Sequence, residues 1–145
     1  MKVVIQRSKE ASVEVDGNIV GAIDSGLVIL VGFKENDTES DIDYLVDKVL
    51  HLRIFDDENG VMNKSILDMN QSILSISQFT LYANTSKGRR PSYVGAMKGE
   101  EAKRLYDIWN QKLSSFLKVE TGIFGADMKV KLCNDGPVTI IMESR

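Results

Sequence analysis

Apolar positions along the chain follow two rhythms, one of period two and one of three to four, and together they predict strands interrupted by helices. Residues 3–6 and 12–15 are rich in β-branched side chains and predict short strands. Asp16-Gly17-Asn18 predicts a hairpin turn, because Gly tolerates the positive φ such turns need. Residues 19–23 return, Asp24-Ser25-Gly26 predicts a second turn, and residues 27–33 predict a buried strand, so the pattern is an antiparallel meander. Thr38-Glu39-Ser40-Asp41 has capping-box spacing with Asp in the reciprocal position. Ile42, Leu45, Val46, Val49 and Leu52 then fall at helical spacing, which predicts a helix over 39–51. Extended structure resumes at 53–55, followed by a turn at 56–60. Residues 72–82 read as one long strand carrying Ile73, Ile76, Phe79 and Leu81. A second helix is predicted over 99–117, where Ala102, Leu105, Tyr106, Trp109, Leu113 and Phe116 form one apolar stripe. Strands at 119–123, 128–133 and 138–142 close the chain. Many strands with two inserted helices predict an α+β domain, residues 1–145, built on a curled, largely antiparallel sheet or barrel.

Composition adds bounds. A chain of 145 residues with 43% apolar content suits one domain with a real core. Val3-Val4-Ile5 is ended at once by Gln6-Arg7, so no signal peptide is expected, and the apolar run 27–31 is far too short to span a membrane. Cys133 is the only cysteine, which excludes an intrachain disulfide and fits a reducing, cytoplasmic setting. The net charge of −3 weighs weakly against a nucleic-acid partner. The distribution is uneven, however. Residues 86–99 hold Lys87, Arg89, Arg90 and Lys98 and no acid, while 35–47 is strongly acidic. A locally basic face on an acidic protein is one reading, and a solvated loop is the other.

The residues exclude more chemistry than they suggest. His51 and Cys133 are the only residues of their kinds, so a His-based triad or a zinc site lacks its parts. There is no GxGxxG and no P-loop, and neither a cofactor nor a metal is expected. Two polar clusters stand out against apolar runs: Ser77-Gln78-Phe79-Thr80-Leu81 and Asn134-Asp135-Gly136-Pro137-Val138-Thr139. A regular strand would put Gln78 and Thr80 on one face and Ser77 and Phe79 on the other, so backbone groups or a bulge would have to complete a site. Proline lacks an N–H and interrupts a ladder, so Gly136-Pro137 reads either as an ordinary turn between two strands or as a segment that presents carbonyls in a fixed direction. A chain without a nucleophile and base suits a reaction that asks little of side chains. Hydrolysis of an activated ester is one, with backbone N–H groups stabilising the oxyanion. The alternatives are a non-catalytic nucleic-acid-binding module, in which Tyr82 and Tyr93 beside the basic segment stack on bases, and an esterase with Thr80 as nucleophile.

The two clusters resemble the signature motifs of the D-aminoacyl-tRNA deacylases, which remove D-amino acids wrongly attached to tRNA. Gln6-Arg7, Ala11-Ser12-Val13, Val15-Asp16-Gly17 and Gly88-Arg89-Arg90-Pro91-Ser92 extend the resemblance over nearly the whole chain. Met97-Lys98-Gly99 and Ser8-Lys9-Glu10 depart from the family pattern, outside both motifs. The resemblance implies a homodimer with active sites at the subunit interface. It implies that Ser77, Gln78, Phe79 and Thr80 line the pocket for the aminoacylated 3′ adenosine, with backbone N–H groups near Phe79 and Thr80 polarising the ester and the tRNA's own 2′-hydroxyl assisting. Gly136 and Pro137, as a Gly-cisPro motif, are implied to enter the other subunit's pocket and exclude an L side chain, which would also admit glycyl-tRNA. Lys87, Arg89 and Arg90 become candidates for contacting tRNA or stabilising the dimer.

Overall fold

A computed structural model describes residues 1–145. Seven strands and three helices follow in the order β1 (Lys2–Val15), β2 (Asn18–Gly32), α1 (Glu39–His51), β3 (Phe55–Asp56), β4 (Met62–Lys64), α2 (Ile66–Met69), β5 (Ser72–Ser77), α3 (Gly99–Ser114), β6 (Val119–Thr121) and β7 (Lys129–Glu143). Five strands form one sheet in the order β6-β5-β2-β1-β7, and β3 and β4 form a small hairpin. β1 pairs antiparallel with both β2 and β7, whereas β5 pairs parallel with β2 and β6, so the α+β fold carries a mixed sheet.

The β1–β2 hairpin turns at Asp16 and Gly17, both with positive φ, as a two-residue turn of matching twist requires. The turn expected at Asp24-Ser25-Gly26 does not form. β2 runs straight through it, because Gly26 makes room for the backbone of Ser72, where β5 joins the sheet. The glycine marks a close approach of two chains, not a reversal. The two strands expected at 3–6 and 12–15 are likewise one.

One face of the sheet holds Val3, Ile5, Leu27, Ile29, Val31 and Ile73 against Leu45 and Val49 of α1 and Leu105 and Trp109 of α3. A second cluster joins Ala11, Val13 and Ile23 of the hairpin's outer half to Val28, Leu74 and Ile76. The sheet is therefore curled. Gly21 lies so near β6 that a Cβ there would sit 2.7 Å from the Thr121 carbonyl oxygen. α1 begins as its spacing predicts, with the Asp41 carboxylate accepting from the Thr38 N–H at 2.8 Å. α3 stops at Ser114, short of the expected 117, and Phe116 is exposed, outside the buried stripe. β6 ends at Thr121, short of Ile123. The extended stretch at 53–55 and the turn at 56–60 become the first arm and turn of the β3–β4 hairpin, whereas β4 and α2 were not expected. No helix is long and apolar enough to cross a membrane.

Candidate active site

The strand expected over 72–82 ends at Ser77. The Gln78 N–H still donates to the Val31 carbonyl at 2.7 Å, and residues 79–82 then wind into a single 3₁₀ turn. The end of β5 is fixed from beneath by α3. Ser75 is fully buried, its hydroxyl accepts from Trp109 Nε1 at 3.2 Å, and its carbonyl accepts from the Tyr106 hydroxyl at 2.8 Å. Two residues on, the chain leaves the sheet from an anchored point.

The turn changes what the motif offers. Gln78 Nε2 donates to the Thr80 hydroxyl oxygen at 2.6 Å, so the two side chains do meet, by way of the turn and not by strand alternation. An amide is no base, and this contact does not activate Thr80 as a nucleophile. The N–H groups of Phe79 and Thr80 open the turn and donate to no oxygen of the chain. Leading N–H groups of a helical turn have no partner within it, and two side by side suit a developing oxyanion.

Ser77, Gln78 and Phe79 edge a cleft of about 580 Å³. Tyr93, Met97, Lys98 and Gly99 form one wall, and residues 124–128 with Ile76 and Val130 form the other. Phe79, half exposed, packs edge-on to Tyr93 at 5.2 Å between ring centres. Phe124 leans on Tyr106, 5.8 Å away. Thr80 does not line the cleft. The carboxylate on the wall, Asp127, is bonded to Lys129 at 2.7 Å, which holds it below the usual carboxylate range and makes it a poor base. His51 lies exposed at the end of α1, its Nδ1 2.9 Å from the Asp47 carbonyl oxygen, outside the cleft. The segment 124–128 escaped the sequence reading. Its signal was the pair Gly122 and Gly125 flanking an aromatic residue between two short strands.

Gly136 and Pro137 lie elsewhere. β7 is continuous through them, so the break expected between 128–133 and 138–142 is an excursion within one strand. Gln6 pairs with Thr139 and Ser8 with Asn134, so residues 135–138 all stand opposite Arg7. The Gly136–Pro137 bond is cis, and both residues are exposed. Polar side chains hold the excursion. Asn134 Oδ1 accepts from the Val138 N–H at 3.2 Å, and Asn134 Nδ2 donates to the Thr139 hydroxyl at 3.0 Å. Arg7, only 9% exposed, donates Nε to the Asp135 carbonyl at 3.1 Å and Nη1 to the Ile54 carbonyl at 2.8 Å. Gly136 has φ of +129°, and a Cβ there would lie 2.9 Å from Val138 Cγ2 and 3.1 Å from Arg7 Nη2. Its conformation and its neighbours both demand glycine.

One chain does not bring the two motifs together. Ser77 is level with Val31, Val3 and Met142 across the sheet, while the excursion is level with Arg7, Leu27 and Ile73. Three strand spacings sideways and four residues lengthwise separate them by roughly 20 Å. Lys87, Arg89 and Arg90 are exposed on a loop closed by the Asn84–Ser92 bridge, and none pairs with an acid of the chain. The loop leads directly into Tyr93 on the cleft wall.

The sequence profile of the family described as D-Tyr-tRNA(Tyr) deacylase matches residues 4–143. The chain belongs to that family. Membership makes it a hydrolase that deacylates D-aminoacyl-tRNA. Among solved structures, the c-Myc DNA unwinding element binding protein shares 40% identity at a TM-score of 0.94, with 100% of this chain and 99% of that one covered. A probable eukaryotic D-amino acid tRNA deacylase has the same fold at 17% identity and a TM-score of 0.84, over 98% of both chains.

Proposed function

We propose that the deacylase clears D-amino acids from the 3′ end of tRNA by backbone catalysis, with chirality read by a second copy of the chain. The observation that carries this is the pair of free N–H groups at Phe79 and Thr80, set beside an aromatic cleft that holds no histidine and whose one carboxylate, Asp127, is tied to Lys129. The cleft takes the terminal adenosine, whose ring suits walls of Phe124, Met97 and Tyr93. Ser77 and Gln78 orient the ribose and ester. The two N–H groups receive the negative charge as water adds to the ester carbon and the tetrahedral intermediate forms. That intermediate collapses with loss of the ribose 3′ oxygen, which leaves as the hydroxyl once protonated. The neighbouring 2′-hydroxyl of the substrate orients the attacking water and shares its proton.

Gly136 and Pro137 are exposed and rigidly held, yet sit far from their own chain's cleft. A homodimer that sets this excursion over the partner's cleft gives it a task. Its carbonyls accept from the substrate's α-ammonium, and its backbone fills the space an L side chain would need. Glycine has no side chain to exclude, so glycyl-tRNA also enters. Lys87, Arg89 and Arg90, beside the cleft and unpaired, meet the phosphates of the acceptor arm, in the cytoplasm where charged tRNA is used.

The mechanism is tested with D-tyrosyl-tRNA ending in 2′-deoxyadenosine and with the Thr80→Ala variant. Loss of the 2′-hydroxyl is expected to slow hydrolysis about 100-fold, whereas Thr80→Ala keeps activity within about tenfold, the loss of one hydrogen bond. A covalent acyl adduct on Thr80, or abolition of turnover by its removal, would overturn it.

A second reading has one observation in its favour, the name of the 40% identical relative, which binds a DNA element. Under it the basic loop binds nucleic acid in a salt-dependent way without turnover. D-aminoacyl ester left intact at saturating protein would favour that reading.

A further inference from the structure

A second recess adjoins the cleft and shares a wall with it. It has a volume of about 550 Å³ and is lined by Glu35, Asn36, Val94, Ala96, Met97 and Lys98. Met97 and Lys98 line both hollows, so the ridge between them is two residues thick. The floor is firm. Ala96 bridges to Lys34, the Met97 N–H donates to the Phe33 carbonyl at 2.9 Å, and the Asp37 N–H donates to the Lys34 carbonyl at 3.2 Å. Val94 stands above this floor 80% exposed, the most exposed of the large apolar side chains. Nothing in the fold requires an apolar residue there.

We infer that this recess is a subsite for the nucleotide preceding the terminal adenosine, the penultimate cytidine of the tRNA 3′ end. The inference rests on the adenosine occupying the first cleft. A base in the second hollow lies against Val94 and Met97, which offer an apolar face for its ring. The Glu35 carboxylate and the Asn36 amide carry acceptors for the exocyclic amine of cytosine, which is the donor that distinguishes it from uracil. Lys98, on the ridge between the hollows, meets the phosphate that joins the two nucleosides. The recess thus reads the substrate as a polynucleotide end and not as a free aminoacyl nucleoside.

Stable amide analogues test it, with D-tyrosine joined to the 3′ position of adenosine or of the dinucleotide cytidylyl-adenosine. Binding of each is measured by calorimetry, and hydrolysis of the matching esters is followed separately. The dinucleotide is expected to bind roughly tenfold tighter than the nucleoside. Exchange of its cytosine for uracil removes part of the gain, Glu35→Ala removes a similar part, and Val94→Asp reduces the ratio to about one. Both residues are exposed, so far-ultraviolet circular dichroism and melting suffice to show that the variants fold. Equal binding of nucleoside and dinucleotide by the wild-type protein would overturn the subsite, as would a ratio unmoved by both variants. Binding of the dinucleotide in preference, with neither ester hydrolysed, would retain the subsite and reject the hydrolytic mechanism proposed above. Failure of both analogues to bind would reject the two together.

Discussion

At the scale of single residues, the molecule places polar groups in buried positions and fixes nearly all of them. Arg7 shows how: two backbone carbonyls and the Asp56 carboxylate at 3.3 Å surround a guanidinium that is almost wholly covered. A charge so buried is tolerable only when its donors are used. Tyr82 is the contrast. Its hydroxyl is buried without a partner, although the ring lies under the Lys2 ammonium at 5.2 Å. Burial first, then the nearby carboxylates of Asp37, Glu143 and Asp41, push its ionisation well above the ordinary phenol value of 10.0. The folded protein holds this proton more tightly than the unfolded chain does. The resulting stability is present below about pH 10 and is lost as pH rises toward the folded-state value. Tyr82→Phe removes both the orphan hydroxyl and the titration. It is expected to raise stability by about 1 kcal/mol at neutral pH and to flatten the alkaline fall, as urea unfolding at pH 7 to 11 would show. A variant clearly less stable at pH 7 would mean that the hydroxyl has a partner.

At the scale of elements, what is local was legible and what depends on distant packing was not. The Asp16-Gly17 turn and the Thr38–Asp41 cap are written in neighbouring residues, and both form. The apolar residues Ile73, Ile76, Phe79 and Leu81 read as one strand, yet β5 has sheet partners only as far as Ser77. Beyond that point the chain winds up, and only the turn frees the N–H groups of Phe79 and Thr80. Gly26 looked like punctuation because nothing local reveals that Ser72 will press against it. α2 has four residues, too few to show a period. The motif residues could be picked out as a pair of clusters, but the wall at 124–128 involves a contact distant in sequence, Phe124 against Tyr106 of α3. The anchoring of β5 is testable at this scale. Ser75→Ala strands the indole N–H of Trp109, which is fully buried, and is expected to cost about 1–3 kcal/mol. An unchanged urea midpoint would show that the indole finds another acceptor and that Ser75 does not position the motif.

At the scale of the whole molecule, the curled sheet keeps the two motifs roughly 20 Å apart in one chain, and the proposed chirality filter therefore needs two chains. The acidic net charge of −3 does not oppose a nucleic-acid substrate, since Lys87, Arg89 and Arg90 stand exposed and unpaired on the loop that precedes Tyr93, while Glu39, Asp43 and Glu101 are tied to Arg104 and Lys112 on the helical side. Chiral selection is proposed to reside in the Gly136–Pro137 excursion. Its most direct test is deacylation of matched D- and L-tyrosyl-tRNA by the wild-type protein and by Gly136→Ala. The wild-type protein is expected to clear the D ester and spare the L ester. A methyl group at Gly136, crowded by Val138 and Arg7 and strained at φ +129°, is expected to shift the excursion and erode that selectivity. Hydrolysis of the L ester as fast as the D ester by the wild-type protein would contradict the account.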